Sequence, residues 1–83
     1  MMELFEKIKT KIESTLCDSF VEVRNERSQH VGHSAGGAHV GIKVIYEGFK
    51  DKTIVEQHQM IYRILKDEMK TEIHSLQIET KVN

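Results

Sequence analysis

Apolar residues recur at helical spacing from the start of the chain. Leu4, Phe5, Ile8, Ile12 and Leu16 fall three or four apart, with Glu3, Lys7, Lys11 and Glu13 on the other side. That rhythm predicts a helix over residues 2–16. Its polar side mixes both charges, which suits a core-facing stripe better than a membrane-surface helix, where basic residues dominate. Cys17-Asp18-Ser19 reads as a short connection and Phe20 to Val23 as a short strand. From Val40 to Tyr46 the run is apolar with period two, and Val40, Ile42 and Val44 share a face. Gly41 inside it signals a bulge or a close backbone approach. A second helical stripe, Ile54, His58, Ile61, Tyr62, Leu65 and Met69, opens at Thr53. Thr53 stands three residues before Glu56, the spacing of a capping box. Ile73 to Thr80 reads as the last strand, with His74, Leu76 and Ile78 expected on one face.

The order is helix, strand, strand, helix, strand, in 83 residues. A chain of that length forms one domain, 1–83, with a single core two layers thick. The two early strands are expected to pair antiparallel. A crossover the length of the second helix makes strands two and three parallel. The expectation is an α+β fold: a three-stranded mixed sheet with both helices on one face. Phe49, in the turn over residues 47–52, is expected to fold back onto the core.

Charge and cysteine content narrow the classes of function. A net charge of −1 offers no general attraction to phosphate backbones. One cysteine excludes an internal disulfide and favours a reducing compartment. Cys17 itself reads as a small, partly buried hydrophobe rather than a reactive group. No stretch approaches ~18 apolar residues and the N-terminus lacks the apolar core of a secretory signal. A cytoplasmic domain with no membrane span is the expectation, with an organelle matrix as the alternative in a eukaryote.

The chemistry concentrates in one loop. His30, His33 and His39, three of the five histidines, are interleaved with Gly32, Gly36 and Gly37 just before the second strand. Imidazole is the commonest metal ligand, although histidines on a glycine-rich loop are often simply solvated. The chain has no G-x-S-x-G, H-E-x-x-H or phosphate-cradling glycine loop, so it is not expected to be an enzyme. A Cys17–histidine nucleophile pair lacks an orienting third group. A structural zinc site on His30, His33 and His39 would want a fourth ligand, usually accompanied by thiolates. An iron–sulfur cluster is held mainly by cysteine thiolates, with histidine replacing some of them in certain centres. With one thiol the chain cannot build such a site alone. It has imidazoles to lend to a cluster whose other ligands come from a partner. His58, inside an apolar stripe, reads as a hydrogen-bonded core residue.

The chain resembles the BolA family across nearly its whole length. The match is carried by Val21-Glu22-Val23, Glu26 through His30 with Gly32-His33, His39, Phe49-Lys50 and His58-Gln59-Met60-Ile61-Tyr62. Leu65-Lys66-Asp67-Glu68 and Ile73-His74-Ser75-Leu76 complete it. The resemblance implies an α-β-β-α-β fold of the class II KH-like type. It further implies a heterodimer with a monothiol glutaredoxin, sharing a bridged [2Fe–2S] cluster used in iron–sulfur trafficking, maturation or iron regulation. Glutaredoxin cysteine and glutathione would supply the thiolates. His74 matches one ligand position and His30 the other, with His33 as the alternative loop ligand; His39 and His58 match positions read as structural. Some BolA-like proteins are described as transcriptional regulators, so a KH-like nucleic-acid-binding role is the alternative. The acidic balance and the missing G-x-x-G clamp disfavour it. The chain departs from the family at Val40, where Phe is usual, and at Gln57 and Gln59, where Arg flanks the histidine. Ser75 replaces the Ala of the late I-H-A-L segment, and the customary acidic-aromatic tail is missing. Loss of the arginines is expected to weaken any nucleic-acid or acidic-partner surface on the second helix.

Overall fold

Ile8 and Ile12 are fully buried on helix α1 (Leu4–Thr15), and Leu16 continues their row into the core. The helix ends as Leu16 turns extended while its N–H still bonds the Ile12 carbonyl at 2.8 Å. The chain then reverses through Asp18, whose φ of 63° is a left-handed position that aspartate tolerates. The computed structural model describes residues 3–26 and 38–82. Within them follow strands β1 (Phe20–Asn25) and β2 (Ala38–Ile45), a short 3₁₀ turn (Glu47–Phe49), helices α2 (Ile54–Ile64) and α3 (Lys66–Thr71), and strand β3 (Ile73–Lys81).

The sheet order is β1-β2-β3, so β2 is central. β1 and β2 pair antiparallel, from Phe20 with Ile45 to Asn25 with Val40. β2 and β3 pair parallel, Val40 with Leu76 and Val44 with Thr80. Val40, Ile42 and Val44 are fully buried, and with Val21 they meet Ile8, Ile12, Ile61 and Leu65 from the helices in one core. The helices thus cover one face of the mixed sheet, as the pattern predicts. Both early strands run longer than their apolar cores suggest. Arg24 extends the ladder opposite Gly41 on the uncovered face, which accepts polar side chains, and Asn25 closes it opposite Val40. Phe49 is fully buried as expected and meets Tyr46 edge-on, with ring centroids 5.2 Å apart. Among the described residues no helix is long and apolar enough to cross a membrane.

The capping box is present: Thr53 Oγ1 accepts from the Glu56 N–H at 3.1 Å, and Glu56 Oε1 accepts from the Thr53 N–H at 2.8 Å. The helix it opens differs from the expected one. It stops at Ile64, Leu65 leaves the helical region with ψ 19°, and α3 begins at Lys66. The buried row is Gln57, Ile61, Leu65 and Glu68, whereas Ile54 and Tyr62 are 60% and 43% exposed. Two of the four buried positions are polar and each has partners, so the face toward the core is rotated from the most apolar one. Gln57 Nε2 donates to the carbonyls of Phe49 and Lys52 at 3.3 and 2.9 Å, and its Oε1 accepts from the Thr80 hydroxyl. Position 57 therefore belongs to the interior, not to a partner-facing surface, and only Gln59 of the two substituted flanks is exposed. His58, expected in the core, is half-buried beside it. Cys17 is exposed rather than partly buried, because α1 has already ended and the turn lifts it off the core.

Candidate functional site

His74 owes its position to a break in the β2–β3 ladder. Ala38 pairs with Ile73 and His39 with Ser75, so one step along β2 matches two along β3 and His74 is the extra residue. The irregularity resets the alternation of β3. Ile73 is 5% exposed and points to the core, while Leu76 and Ile78 pack against that same core from the far side of the bulge. His74 is thus exposed and does not share their face, contrary to strict period-two counting. The backbone is held on both flanks. The Ala38 N–H donates to the Glu72 carbonyl at 2.9 Å, and the Glu26 N–H to the His39 carbonyl at 2.8 Å.

His39 lies beside it. Its ring centroid is 5.0 Å from that of His74, with the planes tilted by 57°, and its Nδ1 is 2.9 Å from Ser75 Oγ. His39 and Ser75 are paired neighbours on the sheet face opposite the helices. Of the residues expected at the site, the structure therefore brings His74 to the surface and places His39 against it. His30 and His33 lie outside the described residues. Sequence reasoning noticed Ser75 only as a departure from alanine. Its bond to His39 follows from the bulge, which no spacing rule announces.

Electrostatics anchor the segment leading into the site. Glu72 takes Lys7 Nζ at 2.6 Å, a bond that raises the Lys7 amine above its ordinary value against the opposing effect of burial. One turn earlier Glu68 holds Lys11. These pairs tie α3, and hence the start of β3, to α1.

The lone thiol is at the other end of the sheet. Cys17 lines an open groove of about 390 Å³ with Asp18, Tyr46, Glu47 and Gly48. From His39 to Tyr46 an extended strand spans roughly 20 Å at ~3.3 Å per residue. Cys17 cannot join His74 at one metal centre. Among the described residues no group of three or more His, Cys, Asp or Glu side chains is arranged to hold a metal ion. His39 and His74 bring two imidazoles together, so any thiolate bound with His74 comes from outside this pair.

Comparison with known proteins agrees with this fold. The model of the family described as "BolA-like protein" matches residues 12–83. The chain belongs to that family. The BolA domain of SufE1 from Arabidopsis thaliana superposes with a TM-score of 0.84 at 30% identity, covering 99% of this chain and 94% of that one. SufE-like protein 1, chloroplastic/mitochondrial, of Arabidopsis thaliana is 32% identical over 90% of this BolA-like chain, which spans only 22% of that protein's length. The DNA-binding transcriptional regulator BolA of Escherichia coli is 27% identical, covering 95% of this chain and 75% of that protein. The plant relative is named for organelles, which leaves the expected cytoplasmic location resting on the sequence alone.

Proposed function

We propose that this BolA-like chain partners a monothiol glutaredoxin and contributes His74 to a [2Fe–2S] cluster handed on in iron–sulfur trafficking, maturation or iron regulation. The second nitrogen comes from the loop, from His30 or alternatively His33. Glutaredoxin cysteine and glutathione supply the thiolates. The observation that carries this reading is the placement of His74: an exposed imidazole on a bulge, with the chain's only thiol at the far end of β2. Such a donor set fits a cluster shared between molecules and does not fit one housed in this chain. A bound cluster brings iron, sulfide and one-electron redox capacity. The chain's own work is to present nitrogen at a fixed backbone position, in a role of carriage or regulation rather than catalysis. Co-expression with a monothiol glutaredoxin and glutathione tests it by visible absorption and circular dichroism. His74→Ala and His30→Ala, with His33→Ala beside them, are expected to change the spectra of the complex. Spectra unchanged by all of these deletions would overturn the proposal.

The alternative, KH-like nucleic-acid binding in transcriptional regulation, draws support from the name of the Escherichia coli relative. The surface supports it poorly. On the open sheet face Arg24 is paired with Glu26 at 3.0 Å, and Glu22 and Glu79 flank the central Lys43 as its ladder partners. Binding to duplex DNA that persists at physiological salt with a steep salt slope would favour it.

A further inference from the structure

We propose that the outer edge of β3 pairs with the same edge of a second copy of this chain, antiparallel and with the two-fold axis at Thr80. The inference rests on neither His74 nor a cluster, so it goes beyond the function proposed above. β3 is an edge strand, and one bond fixes which way its backbone faces: the Tyr46 N–H donates to the Lys81 carbonyl at 3.0 Å. Backbone groups of successive residues in a strand turn to opposite sides, so Glu79 and Lys81 face β2 while Ile78, Thr80 and Val82 face outward. Among the described residues no strand or turn bonds that edge. A row of free N–H and C=O groups is a template for another strand.

The sequence along the edge is complementary to itself. With Thr80 opposite Thr80, Ile78 meets Val82 of the second copy and Glu79 meets its Lys81, each contact occurring twice. The outward-facing residues then form the hydrogen-bonded pairs. Glu79 and Lys81 fall at the non-hydrogen-bonded positions, where side chains come closest. Both are exposed, and neither has an ion-pair partner among the described residues. Charges of one sign would keep two such edges apart, whereas opposite signs placed symmetrically about Thr80 favour their pairing.

Apolar exposure gathers at the same place. Gln57 accepts from the Thr80 hydroxyl, which sets the first turn of α2 over this half of β3. Because α2 links two parallel strands it runs back against β3, so Ile54 and Val55 lie beyond Gln57 toward Val82. Ile54, Val55 and Val82 are three of the five large apolar side chains left exposed among the described residues. Pairing about Thr80 brings both copies of this set to the dyad and takes them out of water. His74 begins the same strand roughly 20 Å away at ~3.3 Å per residue, so it stays outside the ladder. The dimer presents one such imidazole at each end.

The experiment is sedimentation velocity on the full chain from ~10 µM to ~1 mM, because so short a ladder makes a weak dimer. Amide hydrogen exchange is measured at both limits. A reversible dimer is expected, with the Ile78 and Thr80 amides gaining protection as concentration rises. Glu79→Lys and Lys81→Glu each turn two attractive pairs into repulsive ones and should weaken Kd about tenfold. The double exchange Glu79→Lys/Lys81→Glu should restore it, and Phe20→Ser on the opposite edge should leave it unchanged. Circular dichroism checks each fold. Should a charge variant unfold, Val82→Pro decides, since it removes an outward N–H and no bond to β2, and should abolish the dimer. A monomer at the upper limit, a dimer indifferent to both single reversals or to Val82→Pro, or a double exchange no tighter than the single ones would each overturn the proposal. So would β3 amides protected only when glutaredoxin is added, which would assign the edge to that partner.

Discussion

Glu68 is buried on α3 with its two carboxylate oxygens 2.9 and 3.1 Å from Lys11 Nζ on α1. Burial alone pushes that carboxyl upward, but the Lys11 hydrogen bond, a backbone hydrogen bond and the charges of Lys11 and Lys7 outweigh it. The net effect holds Glu68 below the usual carboxylate range. The folded value is lower than the unfolded one, so the ionised carboxylate stabilises the fold above ~pH 4.3. That contribution is lost as pH falls through the folded value. Thermal unfolding scanned from pH 7 to 3 should show Tm falling on acidification, and Glu68→Gln should lower Tm at pH 7 and flatten the acid limb. Lys11→Met, which strands a buried carboxylate beside a partly exposed partner, should cost about 2 kcal/mol at neutral pH. Parallel acid limbs in wild type and Glu68→Gln would refute the assignment.

Gln57 joins three segments through one amide: the Phe49 and Lys52 carbonyls before α2 and the Thr80 hydroxyl on β3. Truncation leaves several buried polar groups without partners, and each such group costs about 1–3 kcal/mol. Gln57→Ala should therefore lower the unfolding free energy by about 1 kcal/mol or more, read as a lower urea midpoint with the slope unchanged. Gln57→Glu should be worse at neutral pH, because a carboxylate would face two carbonyl oxygens. A cycle with Thr80→Val should show non-additivity, as residues sharing a hydrogen bond do.

Periodicity carried the fold but not these two contacts. Ile8 and Ile12, the Val40-Ile42-Val44 face and the Thr53–Glu56 cap are local patterns, and each is found where its spacing puts it. The buried row of α2 and α3 was hidden because Gln57 and Glu68 are polar, and only Thr80 and Lys11, distant in sequence, make their burial favourable. His74 was legible as a donor through the family resemblance, while its exposure was not. The extra residue that moves it off the Leu76–Ile78 face exists only in the pairing with β2.

Gly41 sits in an unbroken ladder, paired with Arg24 and Gln77, so no bulge accounts for it. A Cβ there would meet the Glu26 carboxylate, and Arg24 Nη2 at 2.9 Å. Both lie toward the ends of flexible side chains, and the ion pair they form is exposed enough to rearrange. Gly41→Ala should thus be tolerated, at about 1 kcal/mol or less, the scale of an exposed ion pair. In a Glu26→Ala background the penalty should vanish or reverse, since alanine restricts the unfolded chain more than glycine does. A large loss of stability in both backgrounds would show that the backbone itself needs glycine.

Ile73 and His74 are neighbours whose roles the bulge separates, one toward the core and one toward solvent. Ile73→Ala removes a buried side chain and should cost about 2–5 kcal/mol in urea unfolding. His74→Ala touches no core contact and should stay within about 0.5 kcal/mol of wild type, as surface substitutions do. The same His74→Ala protein should nevertheless form a spectrally altered complex with glutaredoxin. Stability retained with the spectrum changed assigns His74 to ligation. Comparable destabilisation by both substitutions would instead make His74 a structural residue and the bulge a packing feature.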